Sequence, residues 1–121
     1  MNILAIDFGT KHIGLAWCDA AMGVVLPFGQ VKKEELAGLI KKEKIDKVVI
    51  GLPIGLDGNE NANTGRVREF AAELKKEIAA SIEFFDERFS SQAADRMGGG
   101  VSRDEKSAMI ILEDYLKHGK K

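Results

Sequence analysis

The first 31 residues contain three runs of strand-forming residues before any helical spacing begins. The runs cover Asn2 to Asp7, His12 to Cys18 and Val24 to Val31, and turn signals containing glycine or aspartate separate them. Short turns join antiparallel strands, whereas parallel strands need a longer crossover. The chain is therefore predicted to begin with a three-stranded antiparallel meander, which restricts it to folds that contain one.

After residue 32, helical and strand-like segments alternate. Helices are predicted from Lys33 to Glu43 and along an apolar stripe at positions 67–78, and short strands from Lys47 to Ile50 and from Ile82 to Asp86. Helical crossovers favour parallel pairing of the strands that they connect. The prediction is one α/β domain over residues 1–121, with a mixed five-stranded sheet (three antiparallel strands, then parallel strands) flanked by helices.

The last helix has the clearest boundary signals. Ser102 and Glu105 have the spacing of a capping box, which satisfies two backbone amides at a helix start. The apolar stripe behind them consists of Ala108, Ile111, Leu112 and Tyr115. We expect this stripe to face the sheet.

Composition excludes some classes of protein. Eighteen basic and nineteen acidic residues give a net charge of -1, so a nucleic-acid surface would have to be a local basic patch. Cys18 is the single cysteine, so an internal disulfide is impossible. Neither a secretory leader nor an apolar run long enough to span a bilayer is found, which predicts a cytoplasmic protein without a membrane partner.

Two acidic residues occupy positions where an acid needs an explanation. Asp7 ends an apolar strand and precedes a glycine turn, so it either caps that turn or binds a cation. Asp104 lies in the first turn of the last helix, where an acid also offsets the helix dipole. Its spacing from Ala108 and Ile111, however, places it on the stripe that faces the sheet.

A third acid follows the fifth strand. Asp86 and Glu87 are adjacent, and because strand side chains alternate between faces, only one of them can point into a shared site. The alternative is a surface ion pair with Arg88, which would stabilise the protein little. Acids that converge at one edge of a sheet suit phosphodiester hydrolysis with divalent cations, and oxygen ligands select Mg²⁺ or Mn²⁺.

Basic residues near these acids are candidate phosphate ligands. Arg66 and Arg68 stand at the start of the second helix, and Lys11 lies in the first turn region. The alternative is a solvated loop followed by surface arginines. The aromatic side chains are predicted to be core rather than platforms for base stacking: Trp17, Phe84, Phe85 and Phe89.

These motifs together resemble the YqgF family, whose members are described as pre-16S rRNA nucleases and as Holliday junction resolvase-like proteins. The resemblance covers five blocks in the family's order: residues 7–14, residues 51–58, Val67 to Leu74, Asp86 to Ser90, and the helix from Asp104 to Leu116. It implies a ribonuclease H-like fold, a cytoplasmic location and metal-dependent cleavage of a nucleic-acid backbone in the maturation of small-subunit rRNA.

Carried over residue by residue, the resemblance assigns catalysis and metal binding to Asp7, Glu87 and Asp104. It implies a structured RNA precursor as substrate, in preference to a DNA junction. We expect a monomer or a weak dimer.

Three alternatives to this function stay open. A ribosome-assembly factor could keep the fold and bind RNA with weak or no catalysis, and the near-neutral charge favours this. A Holliday junction resolvase would act on DNA instead. The first motif is also similar to the phosphate loop of actin-like ATPases, but those enclose a nucleotide between two such domains, and 121 residues supply one.

Overall fold

A computed structural model describes residues 1–8, 12–52, 62–86 and 103–118. Side chains are described throughout these ranges except at Asn63, Asp86, residues 103–106 and His118. The described residues form eight elements in the order β1 (Asn2–Phe8), β2 (Ile13–Asp19), β3 (Val24–Val31), α1 (Lys33–Lys42), β4 (Lys47–Leu52), α2 (Ala62–Glu77), β5 (Ser81–Asp86) and α3 (Arg103–His118).

The sheet has five strands in the order β3-β2-β1-β4-β5. The pairs β1–β2 and β2–β3 are antiparallel, and the pairs β1–β4 and β4–β5 are parallel. This confirms the predicted meander and the predicted mixed sheet. The main difference in strand length is in β4, which runs two residues beyond Ile50 to Leu52 because it stays paired with β5 up to Asp86.

Helices cover both faces of the sheet. On one face, α1 and α2 bury Leu36 and Phe70 in a core that also contains Leu4 and Ile6 of β1. On the other face, α3 packs against the alternate residues of β1, β2 and β4 in a second core, which consists of Ile3, Ala5, Ala16, Cys18, Val49, Ala108, Ile111 and Leu112. The predicted stripe of α3 is therefore confirmed, with Tyr115 partly buried at its end.

Local contacts fix the helices on the first face. At the start of α1, the backbone N–H of Lys32 donates to the Glu35 carboxylate over 3.1 Å, which satisfies an amide that the helix leaves free. In α2, the Phe70 ring stacks on Phe8 with 4.5 Å between ring centroids. Because Phe8 is the last residue of β1, this contact holds the third turn of α2 level with the end of that strand.

The predictions for the four aromatic residues have different outcomes. Trp17 and Phe85 pack against the two cores, as predicted. Phe84 is 39% exposed, so its prediction as core is wrong. It lies on β5, the outermost of the described strands. Phe89, together with the predicted short helix from Ser90 to Met97 and the predicted capping residue Ser102, lies outside the described residues.

Among the described residues, none of the helices combines the length and the apolar character that crossing a bilayer requires.

Candidate functional site

Asp7 is placed by the alternation of β1. Leu4 and Ile6 point to the α1 and α2 face, so Ile3, Ala5 and Asp7 share the face that α3 covers. The residue pairs with Gly14 of β2 and is half-buried, near the carboxyl end of its strand. A carboxylate in this position keeps access to solvent while apolar side chains line the strand below it.

The neighbouring strand has no side chain beside Asp7. Ile6 pairs with Ile50 of β4, so the next residue along, Gly51, is level with Asp7. Gly51 is on the α3 face because it follows Val49 by two residues, and it pairs in turn with Phe85 of β5. A glycine here leaves the α3 face free of any β4 side chain between the ends of β1 and β5.

The direction of α3 is fixed by a polar contact at its far end. The Nζ of Lys47 lies 3.0 Å from the Tyr115 hydroxyl, which donates to the Glu83 carboxylate. Lys47 also forms an ion pair with Glu83, with 3.5 Å between Nζ and Oε2. Lys47 is the first residue of β4 and Glu83 the third of β5, so the carboxyl-terminal part of α3 lies at the amino ends of these strands.

The environment of this contact shifts two pKa values in the same direction. Burial raises the pKa of the Tyr115 phenol, and the hydrogen bond to Glu83 adds to the effect. The hydrogen bond to Tyr115 is the main cause that raises the pKa of Lys47. The Lys47 ammonium also lies 5.6 Å from the centroid of the Tyr115 ring. At neutral pH the phenol is therefore uncharged and the ammonium charged, as the hydrogen bonds require.

These contacts set the height of Asp104 relative to Asp7. Asp104 precedes Tyr115 by eleven residues, or about 16 Å of helix. Ile3 pairs with Lys47, and Asp7 is four residues further along β1. These four residues span about 13 Å of strand. The two lengths are similar, so a helix that lies along β1 from the level of Lys47 is long enough to span the distance to Asp7 in these eleven residues.

The predicted acids are described to different extents. Asp7 is described in full, Asp104 only by its backbone in the first turn of α3, and Glu87 lies outside the described residues, directly after β5. Within the parts of the chain whose side chains are described, no three His, Cys, Asp or Glu side chains lie together as a metal site. The side chains of Glu87 and Asp104 lie outside those parts of the chain.

The predicted phosphate ligands do not share one side of their helix. Arg66 and Arg68 are both exposed on α2, on the sheet face opposite α3. The Arg68 guanidinium lies 5.4 Å from the centroid of the Phe84 ring, toward β5. Arg66 is about 200° away around the axis. It precedes Glu73 by two turns, and Glu73 forms an ion pair with Lys33 of α1. Lys11 lies outside the described residues.

Sequence reasoning missed the contact among Lys47, Glu83 and Tyr115. The three residues come from separate elements, and the Tyr115 partners are 68 and 32 residues away along the chain. Each has an ordinary local explanation: a charged residue that starts a strand, a charged residue in an edge strand, and an aromatic residue on a helix stripe. Only the pairing of β4 with β5 brings them together.

The chain is similar to proteins of one family over nearly its whole length. The model of the RuvX family, described as Holliday junction resolvase, matches residues 1–118. A protein of Maridesulfovibrio salexigens named "Putative pre-16S rRNA nuclease" is 38% identical, over 96% of this chain and 98% of its own. A protein of Escherichia coli with the same name is 34% identical, over 98% and 97%.

Solved structures show the same fold. The RuvC protein of Thermus thermophilus, in a complex with a Holliday junction substrate, superposes with a TM-score of 0.68 over 98% of this chain and 93% of its own, at 14% identity. A second Thermus thermophilus RuvC structure gives a TM-score of 0.62. The predicted ribonuclease H-like fold is thereby confirmed.

Proposed function

The chain belongs to the RuvX family and is a nuclease, a hydrolase of phosphodiester bonds, and from this premise we propose that Asp7, Glu87 and Asp104 form its catalytic site and bind divalent metal. The proposal also takes the chain as a single domain over residues 1–121. It concerns the edge of the sheet where β1, β4 and β5 end. The opposite edge, which carries Lys47 and Tyr115, then has a structural role.

One observation carries the assignment: Tyr115 of α3 contacts Lys47 and Glu83 near the amino ends of β4 and β5. A helix held there by its carboxyl-terminal part and running toward the other ends of these strands would bring Asp104 to the edge where Asp7 lies. Asp104 is also one turn before Ala108, whose side chain is fully buried against the sheet. The spacing therefore supports an acid above Asp7.

Glu87 fits the same site by strand alternation. Glu83 contacts α3 through Tyr115, and Phe85 packs in the core that α3 covers. If this alternation extends one further step, Glu87 has the α3 face and Asp86 the opposite one. Strands are about 4.8 Å apart, so β5 lies about 10 Å from β1, and Gly51 stands between Asp7 and Phe85, the residue two positions before Glu87. Two carboxylate side chains can reach toward each other across that gap.

The donor set fits Mg²⁺ or Mn²⁺. Carboxylate oxygens are the ligands that these cations prefer, and the half-buried position of Asp7 would make a third nearby acid costly without a cation. Divalent cations bound there would supply activation of water and stabilisation of the leaving oxygen. The three acids would hold and orient those cations, and Lys11 would bind a backbone phosphate beside them. Arg66 and Arg68, which lie on the opposite face of the sheet and on different sides of α2, would bind backbone phosphates farther from the site.

The substrate that we propose is the precursor of 16S rRNA, a structured RNA, acted on in the cytoplasm by a monomer or weak dimer. The names of the curated relatives support this substrate. The family description supports a second candidate, a four-way DNA junction. The exposed arginines on α2 are compatible with either backbone.

The test is cleavage of two labelled substrates by the purified protein. We expect Mn²⁺-dependent cleavage of a precursor RNA that spans an end of 16S rRNA, and weaker cleavage of a DNA junction. A variant with Asp7→Asn, Glu87→Gln and Asp104→Asn should bind RNA but not cleave it. Preferred cleavage of the junction would favour the resolvase function. Equal cleavage by the triple variant would refute the site, and binding without cleavage by the wild type would indicate an assembly factor.

A further inference from the structure

A groove of about 240 Å³ lies between α2 and the outer strand β5, on the sheet face opposite α3. We call it the α2–β5 groove, and among the residues whose side chains are described it is lined by Arg68, Ala71, Ala72, Lys75, Ile82 and Phe84. Two of these residues are basic, three are aliphatic, one is aromatic and none is acidic. The small side chains of two consecutive alanines form its floor on the helix side.

The aromatic residue is the unusual one. Phe84 is 39% exposed although the ring is large and apolar, and the Arg68 guanidinium lies 5.4 Å from its centroid. Exposed aromatic rings and arginine planes are the two protein surfaces on which nucleic-acid bases stack. An aromatic side chain that only filled the core would point inward, as Phe85 does on the other face.

Charges are sorted between the two sides of α2. Glu73 faces α1, where its carboxylate lies 2.9 Å from the Nζ of Lys33, and Glu69 is also close enough to Lys33 to raise the pKa of that ammonium slightly. Arg68 and Lys75 face β5 instead, seven residues and two turns apart. The side of α2 that borders the groove therefore carries positive charge, and its acids lie on the far side. Such a groove complements a phosphate backbone.

The groove lies close to the edge that carries the proposed catalytic acids. Phe84 pairs with Ile50, which pairs with Ile6, the residue before Asp7. Along β5, Phe84 comes three residues before Glu87, or about 10 Å of strand. Because β5 is the outermost of the described strands, a nucleic-acid strand that leaves the edge near Glu87 can pass around β5 without crossing another described element.

We propose that the α2–β5 groove binds a single-stranded segment of the nucleic-acid substrate next to the cleaved region, with a base stacked on the Phe84 and Arg68 pair and a phosphate bound by Lys75. The proposal rests on the proposed function for the nature of the substrate. It adds a requirement for unpaired nucleotides beside the site, since a duplex cannot place one base against the ring without opening.

The experiment measures binding without cleavage. Fluorescence anisotropy would follow a labelled single-stranded RNA of about 12 nucleotides in EDTA, at salt between about 50 and 200 mM. The variants are Lys75→Gln and Phe84→Leu, and the matched control is Lys76→Gln. This control removes the same charge from the next residue, which is also exposed but faces about 100° away from the groove.

We expect distinct effects from the two groove variants. Lys75→Gln should lower the salt dependence by about 0.7 in log–log slope, so that wild-type affinity falls about 2.6 times more than that of the variant over this range. Phe84→Leu should weaken binding by at least about fivefold with an unchanged slope. Lys76→Gln should behave as the wild type. Binding to a fully paired duplex of the same length should be insensitive to Phe84→Leu.

Two results would overturn the proposal. One is equal loss of affinity in Lys75→Gln and Lys76→Gln together with wild-type affinity in Phe84→Leu. The other is that the wild-type protein forms a dimer and that Phe84→Leu and Lys75→Gln each dissociate this dimer, because the groove would then bind a second copy of the chain. Mn²⁺-dependent cleavage assayed in parallel separates the two hypotheses. If the wild type cleaves RNA and the groove variants bind RNA as the wild type does, the groove alone is rejected. If the groove variants lose RNA binding as expected but the wild type does not cleave, the nuclease site alone is rejected.

Discussion

Replacing Tyr115 by phenylalanine tests how α3 is held on the sheet. The substitution keeps the ring, its packing and its contact with the Lys47 ammonium, and removes the hydroxyl that bonds to Lys47 and Glu83. Hydrogen bonds to charged groups contribute about 1.5–3 kcal/mol when buried. Here the Lys47 and Glu83 side chains are 24% and 46% exposed and can still pair directly, so solvent and the remaining ion pair offset part of the loss.

We therefore expect Tyr115→Phe to lower the free energy of unfolding by about 1 kcal/mol, which corresponds to about 4 °C in Tm for a chain of this size. Thermal and urea melts would measure the loss, and hydrogen exchange would locate it in the last two turns of α3. Glu83→Gln is the control, because the amide oxygen still accepts from the phenol, and it should cost less. A Tyr115→Phe protein as stable as wild type, with unchanged exchange in those turns, would refute this account of how α3 is fixed.

Three further predictions concern the acids and the pH. Asp7→Asn should be neutral or stabilising without metal, because it removes repulsion between acids, and should abolish stabilisation by Mn²⁺ in thermal melts; an undiminished Mn²⁺ effect would contradict the site. Asp104→Asn should reduce cleavage by orders of magnitude with little loss of stability, whereas Glu105→Gln, a quarter-turn away, should keep activity and lose at most about 1 kcal/mol; equal effects on both would leave Asp104 as a helix-start acid. The pKa values of Lys47 and Tyr115 are both raised by folding, so their contribution to stability is complete below about pH 10 and is lost as the pH rises beyond it. Melts at about pH 9 and pH 11 should show that the wild type loses more stability between these pH values than Tyr115→Phe does. Equal losses of stability in the two proteins would contradict the predicted pH dependence.

Periodicity predicted the sheet because each strand carries its own signal. The meander, the two parallel strands and the inward stripe of α3 follow from local spacing and from the handedness of crossovers, which need no knowledge of distant partners. The carboxyl end of β4 was less predictable, since Gly51 and Leu52 have weak strand signals of their own and are kept in the strand by pairing with Phe85 and Asp86.

The surroundings of the site were not predictable from the sequence, because they depend on which strand is the outermost one of the sheet. Phe84 and Phe85 have the same side chain and adjacent positions, and alternation alone put them on opposite faces, one covered by α3 and one beside the α2–β5 groove. The residues of β5 do not indicate that it is the outermost strand of the described sheet. In the same way, two arginines two positions apart in α2 resemble a cluster in sequence but diverge around the helix.

The core under α3 joins residues that are far apart in the sequence, and this sets the order in which the core is completed during synthesis on the ribosome. Ile3, Ala5 and Ala16 are made before their cover, Ala108 and Ile111, which follow in the chain only after β5. Until α3 emerges, one face of the growing sheet exposes an apolar surface, because the helices described before it, α1 and α2, occupy the other face. Two of the three proposed metal ligands, Glu87 and Asp104, also follow β5 in the chain. If the proposed site is correct, the step that adds α3 to the sheet also supplies Asp104, and we expect a nascent chain that lacks α3 to be unable to cleave RNA.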